Sequence, residues 1–544
     1  MYRAALWGRC VASVFSEVTM IVLARLLEQQ FPFQSVLVAA MSRIDLALIV
    51  SDNPDILAFK DGDFDLSFTL YGSRLSAGPD DVFSGTADRI VISNPDTPGE
   101  TVDITLPTAT PLQDLVDTAR AVPPPYSPGD LDDFNRVLMP DDSPFPDLFF
   151  TGGDGPDVAL GFGGNDVFAL GGGRDTALLT PGNDSIDGGP GKDTVSGEFY
   201  DGPLVIDLRG KAVSGKEVDA LLNSIENATG SAFDDTIKGN AKANVIKGGD
   251  GDDTLTGGKK GRNVIDGGDG IDVIEGGAGN DRIDGGNGND EIDGGGGDDR
   301  IKGGDGDDVI KGGGGRDRIE GGDGDDSIRG QGGPNTILGG SGEDFIVAGN
   351  QGDQINGGKG QDLIQGGNGN DRLFGGSGLD VIRGSNGDDF IDGGSHTDTL
   401  AGDDGDDTIL GGKGRDRIDG GAGDDTIEGG SGGDRIKGGD GNDTIEGGAG
   451  SDLIDGGLGD DVLNGGRGSD TFFFRTYPDE RSDGADRIVA FEAAMDTIRI
   501  FGIGDSRDIT VTNTGGDTVI DYGHGTITIE DQTLSRDDIA LVFT

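Results

Sequence analysis

Along residues 230–473 an apolar side chain falls about once in every nine positions, and most of what lies between is glycine or charged. In "GGAGNDRIDGGNGNDEIDGGGGDDRIKGGDGDDVIKGG" (276–313), Ile283, Ile292, Ile301 and Ile310 keep that interval. With one unit numbered 1 to 9 from Gly276, positions 1, 2 and 4 are glycine, position 6 is Asp and position 8 is Ile, Leu or Val. Positions 7 and 9 are mostly polar. One apolar residue between two polar ones predicts a strand of three residues, with the central side chain inward and its neighbours outward. The glycines before it permit tight or left-handed backbone that a Cβ obstructs. Each unit therefore reads as a turn and a very short strand. Such strands find partners only in neighbouring units, which is the logic of a solenoid. With two units per coil, alternate units lie on opposite faces, and the core is two facing ladders of isoleucine.

The pattern changes elsewhere. Phe64, Leu66, Phe68 and Leu70 alternate with polar residues, as do Val102, Ile104 and Leu106, which predicts half-buried strands. Leu112, Leu115 and Ala119 after Pro111 predict a short helix; Asp130 can cap another carrying Leu131, Phe134 and Leu138, beyond the linker-like "PPPYSPGD". The expected organisation is an amino-terminal extension (1–40) without a clean export-signal pattern, and a β-rich domain with linker (41–150). A short array (152–196), an insertion or lead-in (197–229), the main array (230–473) and a carboxyl-terminal β cap (474–544) follow. The fold class is all-β. One extra residue falls near Lys259 and Lys260.

Charge turns this pattern into a chemical question. There are 107 glycines and 101 Asp plus Glu against 42 Lys plus Arg, for a net charge of −59, and 33% of residues are hydrophobic. A chain of that kind stays disordered in plain water. As a polyanion it will not seek nucleic acid or an anionic membrane. No apolar run is long enough for a spanning helix, and the lone Cys10 can form no internal disulfide. One isoleucine per nine residues does not offset the entropy of ordering those nine residues. Carboxylates stacked at position 6 repel as well. A hard divalent cation between coils reverses the balance. Calcium takes six to eight oxygens in a tolerant geometry, whereas magnesium demands a stricter octahedron. Zinc favours His and Cys, of which the array holds one His and no Cys. Roughly twenty to twenty-five calcium ions would offset most of the negative charge, and metal binding and folding become one event.

The candidate metal ligands are the position-6 aspartates. In the short array they are Asp157, Asp166, Asp175, Asp184 and Asp193, and at the start of the main array Asp235. In the main array they are Asp253, Asp272, Asp281, Asp290, Asp299, Asp308, Asp317, Asp326, Asp344, Asp353, Asp362, Asp371, Asp380 and Asp389, and then Asp398, Asp407, Asp416, Asp425, Asp434, Asp443, Asp452, Asp461 and Asp470. Asn244, Asn263 and Asn335 replace Asp there and should weaken their sites. "AGNQGDQIN" (348–356) lacks the glycines at positions 1 and 4, and His396 occupies another glycine position, so both units read as worn or capping units. The acids at position 5 (Asp252, Asp298, Asp325) either assist an ion or solvate the surface.

Units such as "GGAGNDRID", "GGNGNDEID" and "GGDGNDTIE" resemble the G-G-x-G-x-D-x-U-x nonapeptide of the RTX (repeats-in-toxin) family. The resemblance implies a parallel β-roll, bound Ca2+ and export by type I secretion machinery with an uncleaved carboxyl-terminal signal. The end "DDIALVFT" is similar to such a signal, and "NSIENATGSAFDDTIKGN" to the lead-in before an array. "DRIVAFEAAMDTIRIFGI" resembles the segment that follows the roll, departing at Ala490, Met495 and Arg499. The function expected is that of a secreted, extracellular calcium-binding protein with a structural, matrix or adhesive role. No catalytic motif accompanies it. His396 and His524 are the only histidines, without H-E-x-x-H, and Ser431 of "GGSGG" falls at position 3 of a repeat. "DGDFDL" (61–66) lacks the glycine and the final glutamate of an EF-hand loop. The alternative is an RTX exoenzyme, a hydrolase with its catalytic part in 41–150.

Overall fold

The structure, a computed structural model, describes the backbone of five strands between 46 and 111. It also describes 149–543 apart from 161–163, 217, 476–482, 502–508 and 537–540. The extension 1–40, the two short helices expected after Pro111 and most of "DGDFDL" lie outside the described residues. The chain forms two compact units, 1–240 and 241–544.

In the first unit, strands Leu46–Ile49, Ile56–Asp61, Ser67–Ala77, Phe83–Ser93 and Thr101–Pro111 make an antiparallel sheet in chain order. The alternation at 102–106 lies inside the last of these; that at 64–70 lies partly ahead of the strand that begins at Ser67. From Phe149 three-residue strands follow at nine-residue intervals and pair in parallel with the strand two units on, as Val158–Leu160 does with Thr176–Leu178. The insertion adds an antiparallel meander, Leu204–Asp207, Ala212–Gly215 and Asp219–Asn223, whose last strand returns to pair in parallel with Ser185–Asp187.

In the second unit the nine-residue interval produces the predicted solenoid, a parallel β-roll. From Val264 to Thr471 each strand pairs in register with the strand 18 residues on: Ile283 opposes Ile301 and then Ile319, while Ile292 opposes Ile310 and then Ile328; ahead of them Val245 pairs with Val264 and Thr254 with Val273, 19 residues on, across the extra residue near Lys259 and Lys260. Two ladders result, one from odd units and one from even. Ile283, Ile292, Ile301 and Ile310 are all fully buried, so position 8 forms the core from both faces.

Most strands are twice as long as predicted. Arg282–Asn287 covers positions 7, 8 and 9 and then 1, 2 and 3 of the next unit. The strand continues because position 1 also points inward, and glycine leaves room there. A Cβ built on Gly294 would lie 2.6 Å from the Gly312 carbonyl oxygen and 2.8 Å from both Asp299 Oδ2 and Ile301 Cδ1. Ala348 fills the same place in one unit with a single buried methyl. Position 2 and position 4 need glycine for a different reason: Gly286 and Gly288 hold φ of 119° and 130°.

The units read as worn keep the fold. Gln351 and His396 take the left-handed backbone of position 4, with φ of 86° and 88°. Ser431 ends a strand that pairs with the next coil, in the manner of its neighbours. Beyond 473, Thr471–Arg475, Thr497–Phe501 and Leu541–Phe543 extend one ladder in parallel. Gly484–Val489 and Gly525–Ile529 extend the other, with a hairpin of Thr510–Thr514 and Asp517–Asp521 beside them. Among the described residues no helix is long and apolar enough to cross a membrane.

Candidate metal centre

Position 6 sits at the mouth of each strand, where the turn delivers the chain into the ladder. Its side chain folds under the turn and is buried. Every candidate aspartate from Asp166 to Asp470 is at most 3% exposed, while Asp157 is half-buried. One oxygen of each carboxylate ties adjacent coils together. The N–H of Asp281 donates to Asp299 Oδ1 at 2.7 Å, and that of Asp290 to Asp308 Oδ1 at 2.8 Å. Repeated every 18 residues, this link produces two columns of aspartates, one entering each ladder.

The other oxygen is the unusual one. From Asp272 to Asp470 the Oδ2 of every position-6 aspartate is buried and accepts no hydrogen bond. Asn263 shows one arrangement of that atom, its amide Nδ2 donating to the Gly276 carbonyl at 3.1 Å, whereas the Nδ2 of Asn335 in the same column finds no partner. An aspartate in the same place turns an oxygen toward a carbonyl oxygen. Two acceptors brought together in a buried space need a proton or a cation between them. Burial pushes the carboxyl values up accordingly, and the neighbouring carboxylates add to the shift. Asp290 and Asp299 rise to about 7, and Asp461 to about 8. From the sequence, a sparse core and repulsion between stacked carboxylates were both expected to oppose the roll. The structure makes desolvation the larger cause and repulsion the smaller.

These residues fit calcium. The orphaned oxygens are carboxylate and backbone carbonyl, an all-oxygen set delivered by flexible glycine backbone. Among the described residues no three His, Cys, Asp or Glu side chains converge on one point, so no zinc-type cluster is present. A cation here draws on one carboxylate per coil together with main-chain carbonyls.

Two candidates stand apart from the rest. Asp235 has both oxygens engaged: Oδ1 accepts the Leu204 N–H at 2.6 Å and the Ser231 hydroxyl at 3.1 Å, and Oδ2 accepts the Ser231 N–H. Asp157 Oδ2 accepts the Gly153 N–H at 2.7 Å. Asn244, Asn263 and Asn335 all fall in one column, and each continues it, as when the Asp317 N–H donates to Asn335 Oδ1 at 3.0 Å. The position-5 acids do something neither sequence reading anticipated. Their Oδ1 accepts an N–H from the following coil: Arg316 donates to Asp298 at 2.9 Å and Glu343 to Asp325 at 2.7 Å. They stitch the turns on the outside, running opposite in sense to the position-6 links.

Three further acids belong to the columns and were missed. The Asp461 N–H donates to Asp486 Oδ1, and the Asp470 N–H to Asp496 Oδ1, both at 3.1 Å. In the first unit the Asp193 N–H donates to Glu226 Oε2 at 3.2 Å. Asp486 and Asp496 follow spacings of 25 and 26 residues instead of 18, which hid them from a periodic reading. The local signal was present in "DRI" and "DTI", the same Asp-x-Ile as in the repeats.

The sequence profile of the RTX calcium-binding nonapeptide repeat matches at residues 149–177, 180–199, 229–259, 260–292, 293–328, 320–355, 348–382, 374–409, 401–436 and 437–472, together more than half of the chain. No curated protein matches it. Among solved structures, the AlgE6R3 subunit of the Azotobacter vinelandii mannuronan C5-epimerase is 32% identical over 23% of this chain and 80% of that one, with a TM-score of 0.19. The extracellular lipase LipA of Serratia marcescens is 22% identical over 38% of this chain and 40% of that one, with a TM-score of 0.20. A hyperactive, Ca2+-dependent, β-helical antifreeze protein from an Antarctic bacterium is 24% identical over 46% of this chain and 85% of that one, with a TM-score of 0.31.

Proposed function

The chain belongs to the RTX calcium-binding nonapeptide-repeat family, and from that premise we propose that it is a secreted, non-enzymatic exoprotein that takes its shape only outside the cell. The observation that carries this reading is the pair of aspartate columns, whose buried Oδ2 atoms face carbonyl oxygens with no donor between them. Calcium supplies, when bound, the positive charge those facing oxygens lack. In a calcium-poor cytosol the columns disfavour the roll, and the chain remains open for export. Where calcium is plentiful the aspartates stay ionised inside the roll and the ladders close. Many ions along two columns make the transition steep.

The outer faces then serve as a rigid extracellular surface, which fits a structural, matrix or adhesive role. The experiment that tests the reading has two parts. Cells producing the chain should release it into medium containing calcium, and the released protein should carry many equivalents of calcium by elemental analysis. The full calcium-loaded chain should show no turnover in a hydrolase panel. Retention inside the cell, or robust turnover abolished by replacing one carboxylate in 41–150, overturns it.

A further inference from the structure

In the second unit, exposed apolar side chains gather on the outward face of one ladder. Val273, Val309, Phe345, Leu363, Val381 and Leu453 all stand at position 7 of the ladder that includes Ile292 and Ile310, and all are exposed. On the other ladder, Val245 and Val264 are the only large apolar side chains exposed at position 7 among the described residues of that unit. Phe345, Leu363 and Val381 oppose one another on three successive coils. A sheet with one solvated face keeps its apolar residues inward. An apolar row on the outer side departs from that rule and marks a surface that meets another.

The charges on that face are self-complementary about Leu363. Glu291 lies four coils before Leu363 and Arg435 four coils after it. At position 9, Asp293 and Lys437 lie four coils to either side of Gln365, and Lys311 and Asp419 lie three coils to either side. Each of these acids has a base at the mirrored place. The apolar residues mirror as well: Phe345 and Val381 flank Leu363 at one coil, and Val273 and Leu453 at five. The like-signed pair in this scheme is Glu275 with Asp455, and Asp455 is already paired with Arg475, whose Nη2 lies 2.9 Å from its Oδ2. A surface whose charges change sign on reflection about its own centre fits a copy of itself.

We infer that two copies of the calcium-loaded chain pack these faces together, antiparallel, about a two-fold axis that runs along the strand of Leu363. Leu363 then meets Leu363 of the second copy, Phe345 meets Val381, and Val273 meets Leu453. Glu291 faces Arg435, Asp293 faces Lys437 and Lys311 faces Asp419, and every unlike pair occurs twice because the interface is isologous. Neighbouring coils lie ~4.8 Å apart, so the face from Val273 to Leu453 is about 50 Å long, and three strand residues make it about 10 Å wide. Two such faces bury roughly 1,000 Å² in total, which is at the lower edge of specific interfaces and implies a reversible dimer. The inference rests on the calcium-folded structural role proposed above and names a second copy of the chain as its partner.

The test is sedimentation velocity of the full chain at fixed free calcium over a range of protein concentrations, with circular dichroism recorded in parallel. The parent should pass from monomer to dimer as its concentration rises. Leu363→Asp sets two carboxylates against each other at the axis and should weaken the dimer by roughly tenfold or more while leaving the calcium midpoint of folding in place. Val264→Asp, on the other ladder, should dimerise as the parent does. Charge reversal tests the register. Glu291→Arg alone and Arg435→Glu alone each create two like-signed pairs and should weaken the dimer. An equimolar mixture of the two single variants restores both unlike pairs and should dimerise better than either variant by itself. A folded parent that stays monomeric, a Leu363→Asp chain that dimerises as the parent does, or a mixture no better than its components overturns the inference and leaves calcium-dependent folding untouched. A parent that fails to fold in calcium overturns the reading beneath it instead.

Discussion

Glycine serves two separate purposes in this repeat. At position 1 it leaves space for the carboxylate and carbonyl oxygens; at positions 2 and 4 it takes a left-handed backbone. Non-glycine residues at those two positions carry strain. Gln331, Ser385 and Asp403 hold φ of 70°, 85° and 74° at position 2. A left-handed L-residue costs roughly 1–2 kcal/mol, partly regained when glycine's looser unfolded state is counted. The triple change Gln331→Gly, Ser385→Gly and Asp403→Gly should therefore stabilise the calcium-loaded roll by about 1–3 kcal/mol in urea unfolding; no gain would mean the strain is absorbed elsewhere. Aspartate at position 6 likewise has two functions, one per oxygen. Asp299→Asn keeps the Oδ1 link to the Asp281 N–H and, in the manner of Asn263, supplies a donor to the facing carbonyl. It should fold at nearly the parent calcium concentration with fewer ions bound. Asp299→Ala strands the Asp281 N–H and should cost about 1–3 kcal/mol. Equal stability of the two variants would contradict the division of labour.

At the scale of the ladders, burial sets how the columns respond to pH. An unfolded aspartate titrates near 3.9. In the folded columns Asp272 is raised to about 6, Asp299 to about 7 and Asp486 to about 8, each mainly by desolvation. Groups raised in this way favour the folded state while protonated. Their contribution is full below about pH 3.9 and is lost as pH climbs through 6 to 8. In chelator, the second unit should therefore show more strand signal at about pH 4.5 than at pH 8; equal signal, or the reverse, would refute the burial argument. The ladders also show what the sequence made legible. The interval of nine made the in-register stacking and the inward isoleucines legible, because each follows from a strict period, whereas the burial of the position-6 aspartates was not foreseen. Strand length was not legible, since glycine at position 1 gives no sign of being extended instead of turning. Asp486, Asp496 and Glu226 were hidden because their loops break the period while their side chains rejoin the columns. Substituting Asp486 and Asp496 together with asparagine should speed amide exchange in 484–489 and 497–501 without affecting Arg282–Asn287. Uniform protection across all three segments would detach those acids from the columns.

At the scale of the whole molecule, the chain carries 101 acidic and 42 basic residues, and among the described residues the acids at positions 5 and 6 of the repeats are sorted by depth. Position 6 is buried with an Oδ2 that accepts no hydrogen bond; position 5 is exposed and bonded to the next turn. Charge composition revealed the need for a cation but not this sorting, which depends on where each carboxylate lies in the coil. The central claim is that the roll is incomplete without a divalent ion that accepts its facing oxygens. Circular dichroism of the full chain against calcium, with magnesium in parallel and chelator as the baseline, tests it most directly. A steep, reversible rise in strand signal on calcium, little of it on magnesium, is the predicted result; full strand content in excess chelator at neutral pH, unchanged when calcium is added, would contradict it.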